Sequence, residues 1–485
     1  MVSPCRRIGD DVQVMDRSGF PIPTLSAMAP WAVAVAASVV FAVWLRAPVR
    51  APVDLRIPGA DRLGVAVDAS AAGDVFAAGM LTPGSGQPAP LKGAWSRFRG
   101  ADGSGISSDL QPVARSWSGG RPRELWAVEV GEGYAGPAIV DGRIYLMDYD
   151  REKQRDALRC LSLENGAEIW RYSYPMPVKR NHGLTRTVPT VVGNWVVAMG
   201  PKCHVVCVQA LDGKFVWGLD LVKDHGTTVP PWYTGQCPLV DGDRVILAPG
   251  GPDTLVMAVE LASGKVVWKS PNPQGWKMTH SSVVPMVIGG SKFFLYCASA
   301  GVVAVRAEDG VVAWETTTWK INIATVPTPV DTGGDRYFFT GGYNAGSLML
   351  RFKVSAGKLE AEEVFRLKAD VFGATQHSPV WRDGLLYGIR ADGRLVGLTP
   401  EGKVAWASGP ETNFGLGPLL MTHDGLIFAL NDGGTLSLIE ANPTAYRPLA
   451  TARVMEGQEC WAPLALASGR LLVRDMTRMI CLQVE

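Results

Sequence analysis

The chain of 485 residues lacks a surplus of either charge: 47 Lys and Arg stand against 46 Asp and Glu, a formal net charge of +1. A surface built to hold a phosphate backbone needs an excess of Lys and Arg, so this balance speaks against a nucleic-acid partner. No two of the 8 cysteines are adjacent, and no Cys-x-x-Cys-His occurs, which excludes covalent haem attached through that motif. Long apolar runs are also scarce. The one that stands out is 29–45, about 17 uncharged residues and near the lower limit for spanning a bilayer. It reads as a membrane anchor, with a cleaved signal peptide as the rival reading because Met15 or Met28 could serve as the start. No small-x-small cleavage site follows before Arg46. Flanking charges do not choose an orientation: Arg6, Arg7 and Arg17 precede the run together with Asp10, Asp11 and Asp16, while Arg46, Arg50 and Arg56 follow it. Residues 1–28 are then a leader or cytoplasmic segment. Residues 46–94, rich in Ala, Pro and Gly and without a sustained period, read as a flexible tether.

What is abundant is glycine, at 55, and tryptophan, at 16, and the two are coupled. Five times a glycine is followed four residues later by a tryptophan: Gly166 and Trp170, Gly213 and Trp217, Gly264 and Trp268, Gly310 and Trp314, Gly402 and Trp406. In each, an apolar strand meets a turn that needs φ > 0, and a second strand leaves it carrying the indole, which describes a hairpin. The recurrence, roughly every 45 residues, is the span of a four-stranded propeller blade.

A second signal runs in phase. A proline opens an apolar stretch at Pro137, Pro189, Pro238, Pro285, Pro329, Pro379, Pro418 and Pro463, eight starts in all. Proline suits the first residue of a strand, where no ladder donor is required, so each marks the innermost strand of a blade. The last unit lacks its outer strand, while a lone tryptophan-bearing strand, 124–128, stands before the first proline. Pairing the two closes a ring and removes an exposed sheet edge. The expected fold over 95–485 is therefore all-β: an eight-bladed β-propeller of four-stranded antiparallel blades, closed by an N-terminal strand and preceded by one transmembrane helix.

The Pro-x-Val-x-Asp-Gly-x-Val-Tyr and Leu-x-Leu-x-x-Gly-x-x-x-Trp units resemble the pyrroloquinoline-quinone (PQQ)-type propeller repeat, shared by quinoprotein alcohol dehydrogenases and by BamB of the outer-membrane assembly machinery. The lead-in 95–105 (Trp-Ser-Arg-Phe-Arg-Gly-Ala-Asp-Gly-Ser-Gly) is similar to openings of such propellers in planctomycete bacteria. The resemblance implies export to the periplasmic side of the cell membrane. It specifies no activity, because one scaffold hosts catalysts and scaffolding proteins alike. Quinoprotein dehydrogenases of this fold carry a vicinal cysteine pair against the cofactor, calcium ligands and a catalytic Asp. The pair is absent here.

The repeat phase accounts for several cysteines. Cys160 and Cys207 lie six residues before Gly166 and Gly213, where Ala258 and Ala304 stand before Gly264 and Gly310, so they replace small apolar residues. Cys237 fills the slot before Pro238. Cys203 and Cys207 would sit about 13 Å apart on a regular strand, too far to share a metal ion.

Connections from one blade to the next gather at one mouth of a propeller's central channel, where a ligand meets all blades at once. Here they are polar and aromatic. The candidates are Arg180, His182 and Arg186 before Pro189, Trp232 and Tyr233 before Pro238, and Lys277 and His280 before Pro285. Gln376 and His377 before Pro379 and Asn413 before Pro418 complete the set. If they converge, the mouth is basic and rich in hydrogen-bond donors, suited to an anionic or carbonyl-bearing ligand. Single histidines beside strands more often serve the backbone, and carboxylate pairs suited to glycoside hydrolysis are scarce in these loops. The favoured reading is a non-catalytic, membrane-tethered propeller that binds a protein partner in the cell envelope, without cofactor or metal. The alternative is an oxidoreductase using PQQ and calcium at the same mouth.

Overall fold

The computed structural model describes residues 34–41, 74–457 and 459–485. The chain divides into two compact units, Met1–Ile57 and Pro58–Glu485. In the first, residues 34–41 are helical and exposed. No helix among the described residues is long and apolar enough to cross a membrane. Most of the expected anchor 29–45, and residues 46–73 of the expected tether, lie outside the described residues.

The second unit carries eight antiparallel sheets, and seven of them use four strands consecutive in the chain. The innermost strands begin at the sequence prolines or within two residues of them: Ala138–Val140, Thr190–Val192, Leu239–Asp241, Val284–Ile288, Val330–Asp331, Val380–Arg382, Leu419–Met421 and Ala465–Ala467. The eighth sheet takes its fourth strand from the other end of the chain, Arg123–Glu129 pairing antiparallel with Arg478–Gln483 and so closing the ring. We number the blades 1 to 8 from Ala138.

The Gly-to-Trp motif has two tasks. Within a blade, the residue before the glycine accepts a turn N–H in four of the five hairpins, as Asp212 does from Lys214 and Asp309 from Val311. The tryptophan then faces a small residue across the hairpin: Cys160 opposite Trp170, Cys207 opposite Trp217, Ala258 opposite Trp268, Ala304 opposite Trp314. Between blades, three of the five rings lie over the glycine of the next hairpin, Trp170 over Gly213, Trp217 over Gly264 and Trp268 over Gly310. The indole N–H reaches a carbonyl of that next blade, Trp170 to Ala210 at 3.1 Å, Trp268 to Ala307 at 3.2 Å and Trp406 to Asn442 at 2.8 Å. Trp126 does the same from the closing strand, reaching the Leu163 carbonyl and covering Gly166. Blade 5 has no such tryptophan, and Phe365 fills the place over Gly402.

The expected tether is corrected over 74–94. Val75–Ala78 forms a 3-10 turn with Phe76 buried, Met80–Pro83 adds a fifth strand outside blade 1, and Ala94–Trp95 pairs with the innermost strand of that blade. Composition hid this because a strand docked on an outer edge needs no apolar alternation. All of its residues are exposed.

Candidate functional site

All eight blade-to-blade connections contribute to one cavity of about 300 Å³ on the ring axis. Tyr134 enters ahead of blade 1, His182 and Arg186 ahead of blade 2, Trp232 ahead of blade 3 and His280 ahead of blade 4. Ala324, Gln376, Leu416 and Trp461 come from the remaining four connections. The lead-in segment forms the floor. Ser96 accepts from the Val191 N–H of blade 2, Arg99 donates to the Ser378 and Pro379 carbonyls of blade 6, and Ile106 bridges Met421 of blade 7, so the segment crosses the axis. Phe98 lines both this cup and a second cavity of about 650 Å³ that also holds Arg97, Arg99 and Lys292.

One wall of the cup is aromatic. Tyr134 and Trp461 stack with centroids 5.2 Å apart and planes 22° from parallel, and His182 touches both. Acids hold these rings by their edges: the Tyr134 hydroxyl donates to Glu459 at 2.6 Å and the Trp461 indole to Asp432 at 2.7 Å. Burial, and then Glu459, push the Tyr134 hydroxyl far above its usual pKa, so it stays a donor. The Arg186 guanidinium lies 5.2 Å from the Tyr134 ring centre, a cation–π contact, and donates to the His182 carbonyl. Burial lowers its pKa to about 10, which leaves it charged at neutral pH. Burial, and then the neighbouring Arg186 charge, lower His280 to about 3, so this imidazole is neutral.

Of the ten residues singled out from sequence, His182, Arg186, Trp232, His280 and Gln376 meet in the cup. Lys277 lines an adjoining depression of about 240 Å³ that shares His280 and Ala324 with it. Arg180 pairs with Glu132 at 2.5 Å. Tyr233 is buried behind the loop, its hydroxyl donating to the Lys179 carbonyl at 2.5 Å. His377 accepts the Ile389 N–H at 2.8 Å, and burial together with the charge of Arg99 lowers its pKa to about 3. Asn413 accepts from the Gly415 N–H at 2.7 Å and serves its own turn. Tyr134, Tyr343 and Phe98 line the cup without having been selected. Phe98 belonged to a segment recognised for its resemblance, and no repeat-based signal marked the two tyrosines.

The family described as outer membrane protein assembly factor BamB matches residues 113–229 and 154–408, more than half of the chain. The chain belongs to the BamB family. Among solved structures, BamB from Moraxella catarrhalis superposes with a TM-score of 0.51 at 12% identity, over 75% of this chain and 100% of that one. The quinohemoprotein alcohol dehydrogenase from Comamonas testosteroni gives 0.56 at 12% identity, over 81% and 80% of the two chains. A europium-containing methanol dehydrogenase gives 0.57 at 14%, over 80% and 89%. At such identities these structures share the fold with this BamB-family chain and nothing finer. No curated protein matches it in sequence.

The dehydrogenase relatives make a quinone and a metal ion natural groups to test against the cup. Calcium takes about six to eight oxygen ligands, several of them carboxylate. Among the residues lining the cup, side-chain oxygens come from Tyr134, Tyr343 and Gln376, with no carboxylate. Asp432 and Glu459 stand behind the aromatic rings and are occupied there. No group of three or more potential metal ligands is found among the described residues. The cup has a flat aromatic wall and a cation, but no carboxylate opposite that wall to accept a proton. It does not fit the calcium–quinone pair.

Proposed function

We propose that this BamB-family propeller is a non-catalytic scaffold that binds a protein partner through the mouth of its central channel, on the extracytoplasmic side of the membrane to which its N-terminal segment tethers it. One observation carries the reading: a cup built by all eight blades presents a half-buried cation beside stacked aromatic rings and has no carboxylate in its lining. That is recognition chemistry without a carboxylate base. A rigid ring of loops is also a surface on which partner residues dock with little ordering cost.

Absorbance titration of the purified protein with PQQ and calcium, run alongside a cross-linked pull-down from its own cells, tests this. The expected result is no saturable spectral change at high micromolar quinone and a partner whose recovery falls with Arg186→Gln and Trp461→Ala. Quinone binding accompanied by dye-linked alcohol oxidation would overturn it.

A further inference from the structure

The scaffold reading does not say which part of a partner reaches the hub; the inference below rests on that reading and sharpens it. Two polar atoms enclosed at the cup have unmet hydrogen-bonding capacity. Arg186 Nη1 is shut from solvent and has no hydrogen-bond partner among the described residues, although Nη2 of the same group is engaged by the His182 carbonyl. His280 Nδ1 is likewise enclosed and without a partner among the described residues. His280 hydrogen-bonds to Pro231, which has only a carbonyl to offer, so the ring donates there through Nε2. A neutral imidazole has one donor and one acceptor, which leaves Nδ1 as the acceptor. Beside the cup an unmet charged donor and an unmet acceptor are therefore held out of solvent, a costly arrangement that a ligand entering with a small shift of these side chains would relieve.

A ligand that meets both carries a carboxylate and a neighbouring N–H. The last residue of a polypeptide has this pair, its α-carboxylate and its backbone amide. The shape of the site extends the match. The depression that shares His280 and Ala324 with the cup is also lined by Lys277 and Asn322, so it adjoins the cup where an elongated ligand can extend from it. We propose that the cup takes the C-terminal carboxylate of a partner chain at Arg186. The final side chain lies against Tyr134 and Trp461, and the preceding residues lie in the depression beside Lys277 and Asn322.

The test uses the full chain and a library of random seven-residue peptides with free carboxyl termini. Enriched peptides are labelled at the N-terminus and measured by fluorescence anisotropy. Converting the terminal carboxylate to the amide is expected to weaken binding by about tenfold or more, since a charge-assisted pair is replaced by a neutral one. Arg186→Gln is expected to lose as much with an unchanged melting temperature, Arg186→Lys to lose less, and His280→Phe to weaken free and amidated peptides alike. Should Arg186→Gln melt early, the free-acid and amide comparison on the unaltered protein decides alone. Equal affinity for acid and amide, or no enriched peptide, overturns the proposal. So does an N-acetyl amino acid that binds as tightly as the peptide, which would make this a site for small carboxylates. Peptides that bind regardless of their terminus would sink this inference and leave the scaffold reading standing, whereas quinone-dependent oxidation would sink the scaffold reading itself.

Discussion

The Trp217 indole N–H donates to the Leu261 carbonyl at 2.8 Å, and its ring passes 2.8 Å from where a Cβ on Gly264 would sit. One residue of blade 2 thus satisfies a carbonyl of blade 3 and occupies space that only glycine leaves free. Trp217→Phe keeps most of the apolar contact but leaves the Leu261 carbonyl only the weak Cys207 thiol at 4.0 Å, at a cost of about 1–3 kcal/mol. Gly264→Ala meets both the ring and a φ of +70°, which costs upwards of about 1 kcal/mol. Because the two changes act on one contact, the double variant should lose less than the sum, and denaturant midpoints of all four proteins would measure the coupling.

Such contacts explain why the fold was legible. Glycine and tryptophan recur because each blade needs a hairpin turn and several blade interfaces use the same interlock, so the repeat is written in the residues themselves. The cup was legible only in part. The connections were placed by the prolines, but the direction of a side chain within a loop is set by local hydrogen bonds. Gln376 faces the axis while its neighbour His377 turns back to the Ile389 N–H. Trp232 lines the cup while Tyr233 points behind it to Lys179. Asn413 is spent on its own turn. Tyr134 went unnoticed because it precedes the first blade, in a connection that exists only once the ring is closed.

Closure has a second fastening at Arg474, 1% exposed. Its guanidinium donates to the carbonyls of Gly131 and Gly133 at 2.9 Å and of Ala135 at 3.1 Å, besides Asp475 and Met476, tying blade 8 to the chain entering blade 1. Burial lowers its pKa to about 10, so it remains charged. Arg474→Met leaves several buried carbonyls unmet and should destabilise the protein by at least about 3 kcal/mol. It should also loosen the seam between Arg123–Glu129 and Arg478–Gln483. Hydrogen exchange would then show early loss of protection in those two strands, ahead of blades 3 to 6.

Asp156 is fully buried beside the Tyr174 hydroxyl, and burial pushes its carboxyl up to about 8 from the ordinary 3.8. The folded protein therefore holds this proton across a range in which the unfolded chain has released it. Its contribution to stability is fully present below pH 3.8 and is lost as pH rises towards 8. Asp156→Asn mimics the neutral acid and should flatten that decline, so the variant should melt higher than the wild type at pH 8 while the two converge near pH 4. Calorimetric scans across this range check it, and parallel curves would mean that Asp156 is ionised in the folded state.

Phe76 fastens the N-terminal arm to the propeller. Its ring lies 5.1 Å from Tyr174, 5.8 Å from Phe215 and 5.9 Å from His204, and it covers Gly218, whose Cβ would fall 2.5 Å from it. Asp74 caps the short turn by accepting the Phe76 N–H at 3.0 Å. Downstream, Met80–Pro83 depends mainly on ladder bonds to the outer strand of blade 1. Phe76→Ala removes about 3–5 kcal/mol of packing, but from a segment outside the eight-blade ring, so the loss should appear as local release of the arm. The melting temperature should change little, while limited proteolysis should newly cut between residues 74 and 94. A large fall in melting temperature without new cleavage would instead make the arm part of the cooperative core.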